Sequence, residues 1–281
     1  MVRTIILMII LMLVFMFVGN AVAGEQGMII AFLIACAMNF FSYFFSDKIV
    51  LKHYKAKEVT AQSAPELYSV VARLAKAADL PMPKVYIVPE QVPNAFATGR
   101  NPHHAAVAAT QGLLDTLSEQ EIEGVLAHEM SHVKHYDILI GSVAAVFAGA
   151  IAMLANMARY NMVARKTSSS NRRQGGIGEL LAIILMPIAA TVIQMSISRT
   201  REYKADEGAA YLTKHPEWLM SALAKLEGYA RNYRMQQATS QTAHMFIVNP
   251  FSGLGNLSSL FSTHPSTKDR LARLEQIKRK M

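Results

Sequence analysis

His128-Glu129-Met130-Ser131-His132 is the stretch of this chain whose residue types and spacing can do chemistry. On an α-helix, residues four apart lie on one face, one turn above the other. Two imidazoles so placed can close on a single zinc ion, and the glutamate between them can act as general base toward an activated water. The five residues alone also fit a helix with two buried, hydrogen-bonded histidines and an unrelated glutamate. Their surroundings agree with the first reading. Ser118-Glu119-Gln120-Glu121 has the pattern of a capping box, with Leu117 and Ile122 as a hydrophobic staple. Ile122, Val125, Leu126 and Val133 then recur at helical spacing, so both histidines are predicted inside a helix of roughly four turns.

A hydrolytic zinc site needs a third protein ligand and an open position. His135 lies on the same helix, one turn past His132, at an angle that hardly completes a tetrahedron. The longer pattern H-E-x-x-H-x-x-G-x-x-H is not met, because position 135 is His and position 138 is Ile. Glu202, in the stretch from Ser198 to Asp206, is the better candidate. Glu202 and Asp206 stand one turn apart on a predicted helix. The glutamate can bind metal, and the aspartate can orient a ligand histidine through its other ring nitrogen. The same stretch also fits an ordinary solvated, charged helix end.

These candidates sit in an unusually apolar chain. Of its 281 residues 52% are hydrophobic and 17% charged, and the mean hydropathy is +0.22. That is too apolar for an ordinary soluble domain. A single cysteine, Cys36, rules out a disulfide framework and points away from a cysteine-ligated metal. The net charge of +8 reads as lysines and arginines flanking a membrane, with no nucleic-acid-binding signature beside it.

Four apolar runs are each about long enough for a hydrocarbon core of ~30 Å. They are Ile5 to Val18 (extendable to Ala23), Met28 to Phe45, Ile138 to Met157, and Ile177 to Ile197. The first also fits a cleaved signal peptide, given Arg3 and Ala21-Val22-Ala23. Arg3 precedes the first run, Lys48, Lys52, Lys55 and Lys57 follow the second, and Gly19 to Gly27 holds no lysine or arginine. The positive-inside rule therefore places both ends of an N-terminal hairpin, residues 1–46, on the cytoplasmic side. The connection from Tyr160 to Gly176 conflicts with a simple continuation, because it carries Arg165, Lys166, Arg172 and Arg173 where two full crossings would put it outside. Either the rule is broken there or the 138–197 hairpin enters the bilayer incompletely. In both cases the chain returns to the side it left, so Glu202 can meet the histidine pair at one membrane face.

Residues 47–281 form the remaining unit, interrupted by that second hairpin. Ser63 to Asp79 is predicted as an amphipathic helix with Leu67, Val70, Val71, Leu74 and Ala78 on one face. Pro216 to Arg231 and Ser266 to Lys280 are two further helices, and Met235 to Asn256 is irregular. Lys84 to Val88 and Ala105 to Thr110 are predicted strands, with a turn-flanked segment from Asn94 to Gly99. The sheet is either structural or presents Ala105-Ala106-Val107-Ala108 as an edge that pairs with an extended peptide beside the metal. His53, His103, His104, His215 and His244 read as surface or packing residues. The expected fold is mainly α with a small β-sheet and about four transmembrane helices.

Together, His128 to His132, Ser198 to Asp206, Asn94 to Gly99 and Thr263-His264-Pro265 resemble the HtpX family of membrane zinc metalloproteases. These are bacterial relatives of the CAAX prenyl proteases, and the resemblance covers nearly the whole chain. It implies a gluzincin-type metalloprotease domain with one zinc per chain on His128, His132 and Glu202, and Glu129 as base. Asp206 matches the family's aspartate behind the ligands. Asn94 and His264 match positions near the substrate, and His264 would face the developing oxyanion. By residue type alone, His264 before Pro265 reads as a loop residue. The resemblance also implies a multi-pass protein of the bacterial inner membrane with its catalytic domain toward the cytoplasm. Misfolded or damaged membrane proteins and other unfolded polypeptides would be its substrates, in stress-related quality control. The basic Tyr160 to Gly176 connection departs from the family pattern. Two rival readings are a membrane scaffold with a structural metal and a hydrolase of prenylated peptides. An intact Glu129 argues against the first, and only four apolar runs argue against the second.

Overall fold

The structure, a computed structural model, describes residues 2–148, 150–151, 198–232 and 265–281. In chain order come α1 (Val2–His53), β1 (Lys57–Val59), α2 (Pro65–Ala78), β2 (Lys84–Val88), β3 (Ala95–Gly99), β4 (Ala105–Thr110), α3 (Gln111–Thr116), α4 (Glu119–Lys134), α5 (Ile138–Ala148), α6 (Arg199–Thr213), α7 (Pro216–Asn232) and α8 (Thr267–Lys278). The expectation of a mainly helical fold with a small sheet holds. Of the sequence expectations, the Ile177 to Ile197 run, the basic Tyr160 to Gly176 connection, the Met235 to Asn256 stretch and His264 lie outside the described residues.

α1 is a hairpin. Its helical geometry breaks at Ala23 and Gly24, and Gly24 takes φ 62°, ψ −149°, backbone space open essentially to glycine alone. The two arms then lie side by side. Asn39 Nδ2 donates to the carbonyl of Met8 at 3.3 Å. A Cβ at either Gly19 or Gly27 would run into the carbonyl oxygen of the other, so small residues let the two backbones touch. The second arm, Ala23–His53, is the one helix among the described residues long and apolar enough to cross a membrane. The first arm (Thr4–Asn20) and α5 are apolar but shorter. Leu7 and Leu11 of the first arm bury against Leu139, Val143 and Phe147 of α5, which makes these helices one packed unit.

The sheet runs β1-β2-β4-β3. β1 is antiparallel to β2, β2 parallel to β4, and β4 antiparallel to β3. β4 is buried along its whole length, and its alternation explains why. Val107 and Ala109 face the helical core with α2 and α4. Ala106 and Ala108 face the other way, onto Val50 and Leu51 at the end of α1 and onto Phe96. This arrangement corrects the expectation for Ala105, Ala106, Val107 and Ala108. Both edges of β4 are taken, by β2 and by β3, so it has no backbone groups left for a peptide. Among the described residues the outer strands are β1 and β3, and β3 is the segment that the sequence predicts only as turn-flanked.

α4 is the axis of the helical core. Leu126 and Met130 are fully buried and pack with Val71 and Leu74 of α2, Ala210 of α6 and Leu223 of α7. Its start is held as the sequence implies. Ser118 Oγ accepts from the Glu121 backbone N–H, and the Glu121 carboxylate accepts from the Ser118 N–H at 2.8 Å. The same carboxylate accepts from Ser221 Oγ at 2.6 Å and Lys225 Nζ at 2.8 Å on α7. Burial alone would raise its pKa. The bonds from Lys225, Ser221 and Ser118 outweigh that and hold it at about 2, against 4.5 for a free glutamate.

A depressed folded-state pKa stabilises the fold above the unfolded value, and that contribution is lost as pH falls from about 4.5 through about 2. Its upper bound is roughly 3 kcal/mol, reduced by the half-exposed Lys225. Glu121→Gln is therefore expected to lower Tm clearly at pH 7 and much less at about pH 2. An equal Tm gap at both pH values would show that the charge of Glu121 is not what stabilises this junction.

Candidate metal centre

Two helices bring the candidate ligands together. α4 carries His128 and His132 one turn apart, and α6 crosses it with Glu202 on the facing side. The crossing is close because Gly208 packs on Ser131, where a Cβ would collide with the serine hydroxyl. The Nε2 atoms of His128 and His132 are 3.2 Å apart. Glu202 Oε2 lies 3.6 Å from His128 Nε2, and Oε1 lies 3.5 Å from His132 Nε2. These three ligand atoms are all within 4.8 Å of one another and form a group that could hold a metal ion. Two atoms bound at zinc distances of ~2.0–2.1 Å in a tetrahedron stand roughly 3.3 Å apart, so the observed spacings fit zinc. An N, N, O donor set also suits that metal.

The other ring nitrogen of His128 faces Asp206. Nδ1 is 2.9 Å from Asp206 Oδ1, one turn along α6 from Glu202. An Nδ1–H donated there leaves the Nε2 lone pair free for a metal. His128 is 2% exposed and Asp206 1%. Burial alone would raise the Asp206 pKa, but the adjacent Arg270 guanidinium and the bond with His128 outweigh it and hold the carboxyl at about 2. For His128, burial favours the neutral ring. Its partners Asp206 and Glu202 outweigh this and push its pKa up to about 9.

Glu129 points to the other side of α4, toward the sheet. The N–H of Ala97, on the outer edge of β3, donates to Glu129 Oε2 at 2.9 Å. Glu129 is buried, which pushes its pKa up and makes it a better proton acceptor. β3 is itself held in place from both ends. The Asn94 N–H donates to Thr110 Oγ1 at 2.8 Å and the Asn94 carbonyl accepts from the Thr110 N–H at 2.9 Å. Thr98 Oγ1 and Ser142 Oγ of α5 are 2.7 Å apart.

The structure thus brings together His128, Glu129, His132, Glu202 and Asp206. His135 caps the C-terminal end of α4, is exposed, and is not in the group of His128, His132 and Glu202 that could hold a metal. Asn94 is buried at the start of β3. Sequence reasoning missed two residues. Asp137 Oδ2 sits 3.5 Å from His132 Nδ1. Arg270 of α8 is buried against Asp206. Nothing marked either of them, because Arg270 falls in a run of alternating charges that looks like a solvated helix.

The Peptidase family M48 profile matches residues 61–278. A protein named Protease HtpX homolog from Campylobacter hominis is 67% identical over 100% of this chain and 99% of its own length. One of the same name from Campylobacter curvus is 64% identical over 98% of this chain and 96% of its own length, and one from Sulfurovum sp. is 55% identical over 98% and 99%. Among solved structures, S. mikatae Ste24p superposes with a TM-score of 0.50 at 20% identity, covering 95% of this chain. This chain spans 61% of that structure, and at this identity the likeness is one of fold. The metal-ligand geometry on α4 and α6 therefore lies within a family match that takes in most of the chain: this protein belongs to peptidase family M48 and is a metalloprotease similar to the HtpX homologues.

Proposed function

We propose that this protein is a zinc endopeptidase of the bacterial inner membrane, which cuts unfolded segments of misfolded or damaged membrane proteins on the cytoplasmic side. Residues 1–46 act as the membrane hairpin and 47–281 as the peptidase unit. The observation that carries the reading is the 2.9 Å bond from the edge of β3 to Glu129, because it sets a strand that is outermost among the described residues against a buried base. That base lies next to three convergent ligand atoms.

Zinc held by His128, His132 and Glu202 would supply Lewis acidity to the scissile carbonyl and acidify a water. Glu129 takes the proton from that water and passes it to the leaving amine. Asp206 holds the His128 ring so that Nε2 faces the ligand group. Substrate lies extended along the outer edge of β3, where by strand alternation Ala95 and Gly99 offer their backbone groups and Ala97, whose N–H goes to Glu129, offers its carbonyl. Only a segment without its own secondary structure can pair in this way, which selects unfolded polypeptide. Asn94 secures the start of that strand, and we place His264 by family resemblance near the developing oxyanion.

Full-length protein in liposomes, given a membrane protein with either a folded or an unfolded cytoplasmic segment, tests this reading. The expected result is cleavage of the unfolded form at least ~10-fold faster, with Ala95→Pro raising KM for extended peptides while zinc content stays the same. Digestion of soluble unfolded casein with neither membrane substrate cut would overturn the membrane-substrate reading and leave the peptidase intact.

A further inference from the structure

Arg270 is the largest fully buried side chain among the described residues, at 1% exposure, and its place is beside the metal ligands. Its guanidinium grips Asp206 as a fork. Nε donates to Oδ2 at 2.9 Å, and an Nη2 hydrogen goes to Oδ1 at 2.6 Å. Oδ1 is also the atom that meets His128 Nδ1 at 2.9 Å. Arg270 Nη2 stands 3.4 Å from that same Nδ1, but two donors cannot bond, so the ring's N–H goes to the carboxylate. A buried guanidinium is costly unless its donors are met, so its burial here points to what it holds.

We infer that Arg270 is a positioning residue of the metal centre, fixing the plane and angle of Asp206 so that His128 keeps its Nε2 turned to the metal. An aspartate alone can rotate about its Cβ–Cγ bond and still accept one hydrogen bond. A carboxylate held through both oxygens cannot. Planar, two-point restraint is what arginine supplies and lysine does not. Arg270 reaches the site from α8, where Leu274, one turn on, is buried in the core beside it. The C-terminal helix therefore completes a site whose ligands lie on α4 and α6. The inference rests on the zinc-peptidase reading above and deepens it.

The test uses full-length protein in detergent and compares wild type, Arg270→Lys, Asp206→Asn, the double variant, and Leu274→Ala as a packing control. Zinc affinity is read by chelator competition, coordination by the visible spectrum of the cobalt-substituted protein, and folding by the metal-free Tm. Arg270→Lys is expected to weaken zinc binding ~10- to 100-fold and to alter the cobalt spectrum. On the Asp206→Asn background it should add less than about 2-fold, because the two residues act as one unit. Leu274→Ala should lower the metal-free Tm with zinc affinity near wild type. Wild-type affinity in Arg270→Lys, an additive double variant, or equal loss of affinity in Leu274→Ala would each overturn the inference. Failure of the wild type to take up zinc would instead overturn the peptidase reading on which it stands.

Discussion

Glu129→Gln is expected to keep its zinc and lose turnover by ~10²- to 10⁴-fold. Glutamine matches glutamate in shape and can still meet the Ala97 N–H through its carbonyl oxygen, so the strand edge stays where it is. What disappears is the capacity to take a proton from water. Zinc content and cleavage of an unfolded substrate, measured on one preparation, check this. Near-wild-type cleavage by a zinc-replete variant would remove Glu129 from the role of base.

Glu202→Ala should produce the second large effect, and on a different quantity. Glu202 is the one member of the candidate ligand group on α6, 3.5 and 3.6 Å from the two imidazoles of α4. Its loss leaves two ligands and separates metal from the α4–α6 junction. Zinc stoichiometry should fall and the metal-dependent part of the Tm should vanish together, because metal binding is coupled to folding. Glu202→Asp should do nearly as much harm, since the carboxylate retreats by one methylene while ligand distances tolerate only ~0.2 Å. His135→Ala, exposed at the end of α4, should bind zinc like the wild type or at most ~10- to 100-fold more weakly. A zinc-free His135→Ala beside a zinc-replete Glu202→Ala would move the site to the α4 histidines alone.

The parts of this site that were legible in the sequence are those written in local spacing. The capping box, the apolar stripe of α4 and the i, i+4 histidines all lie within one helix, where periodicity and burial agree. Glu202 lies far along the chain and was picked out because it stands one turn from Asp206 and because an expected hairpin at 138–197 would return the chain to the side it left; its carboxylate lies 3.5 and 3.6 Å from the two imidazoles of α4. What escaped depends on pairing between distant segments. Ala95 to Gly99 is short, small and ends in glycine, so little in its composition says strand. It becomes one by pairing with β4. The same fact overturned the choice of Ala105 to Ala108 as the substrate edge, since an apolar run buried on both faces is the mark of an inner strand. Arg270 escaped for the opposite reason. Its helix carries charges all along its length, and only the fold turns one of them inward onto Asp206.

Proteolysis by this protein is expected to depend on one metal ion held between α4 and α6. The direct measurement is a zinc titration of chelator-stripped, full-length protein, with cleavage of an unfolded polypeptide read at each step. The stripped protein is expected not to cleave, and activity should then rise with added zinc to a plateau at one equivalent per chain. Cleavage that persists in protein shown to hold no bound metal would contradict it.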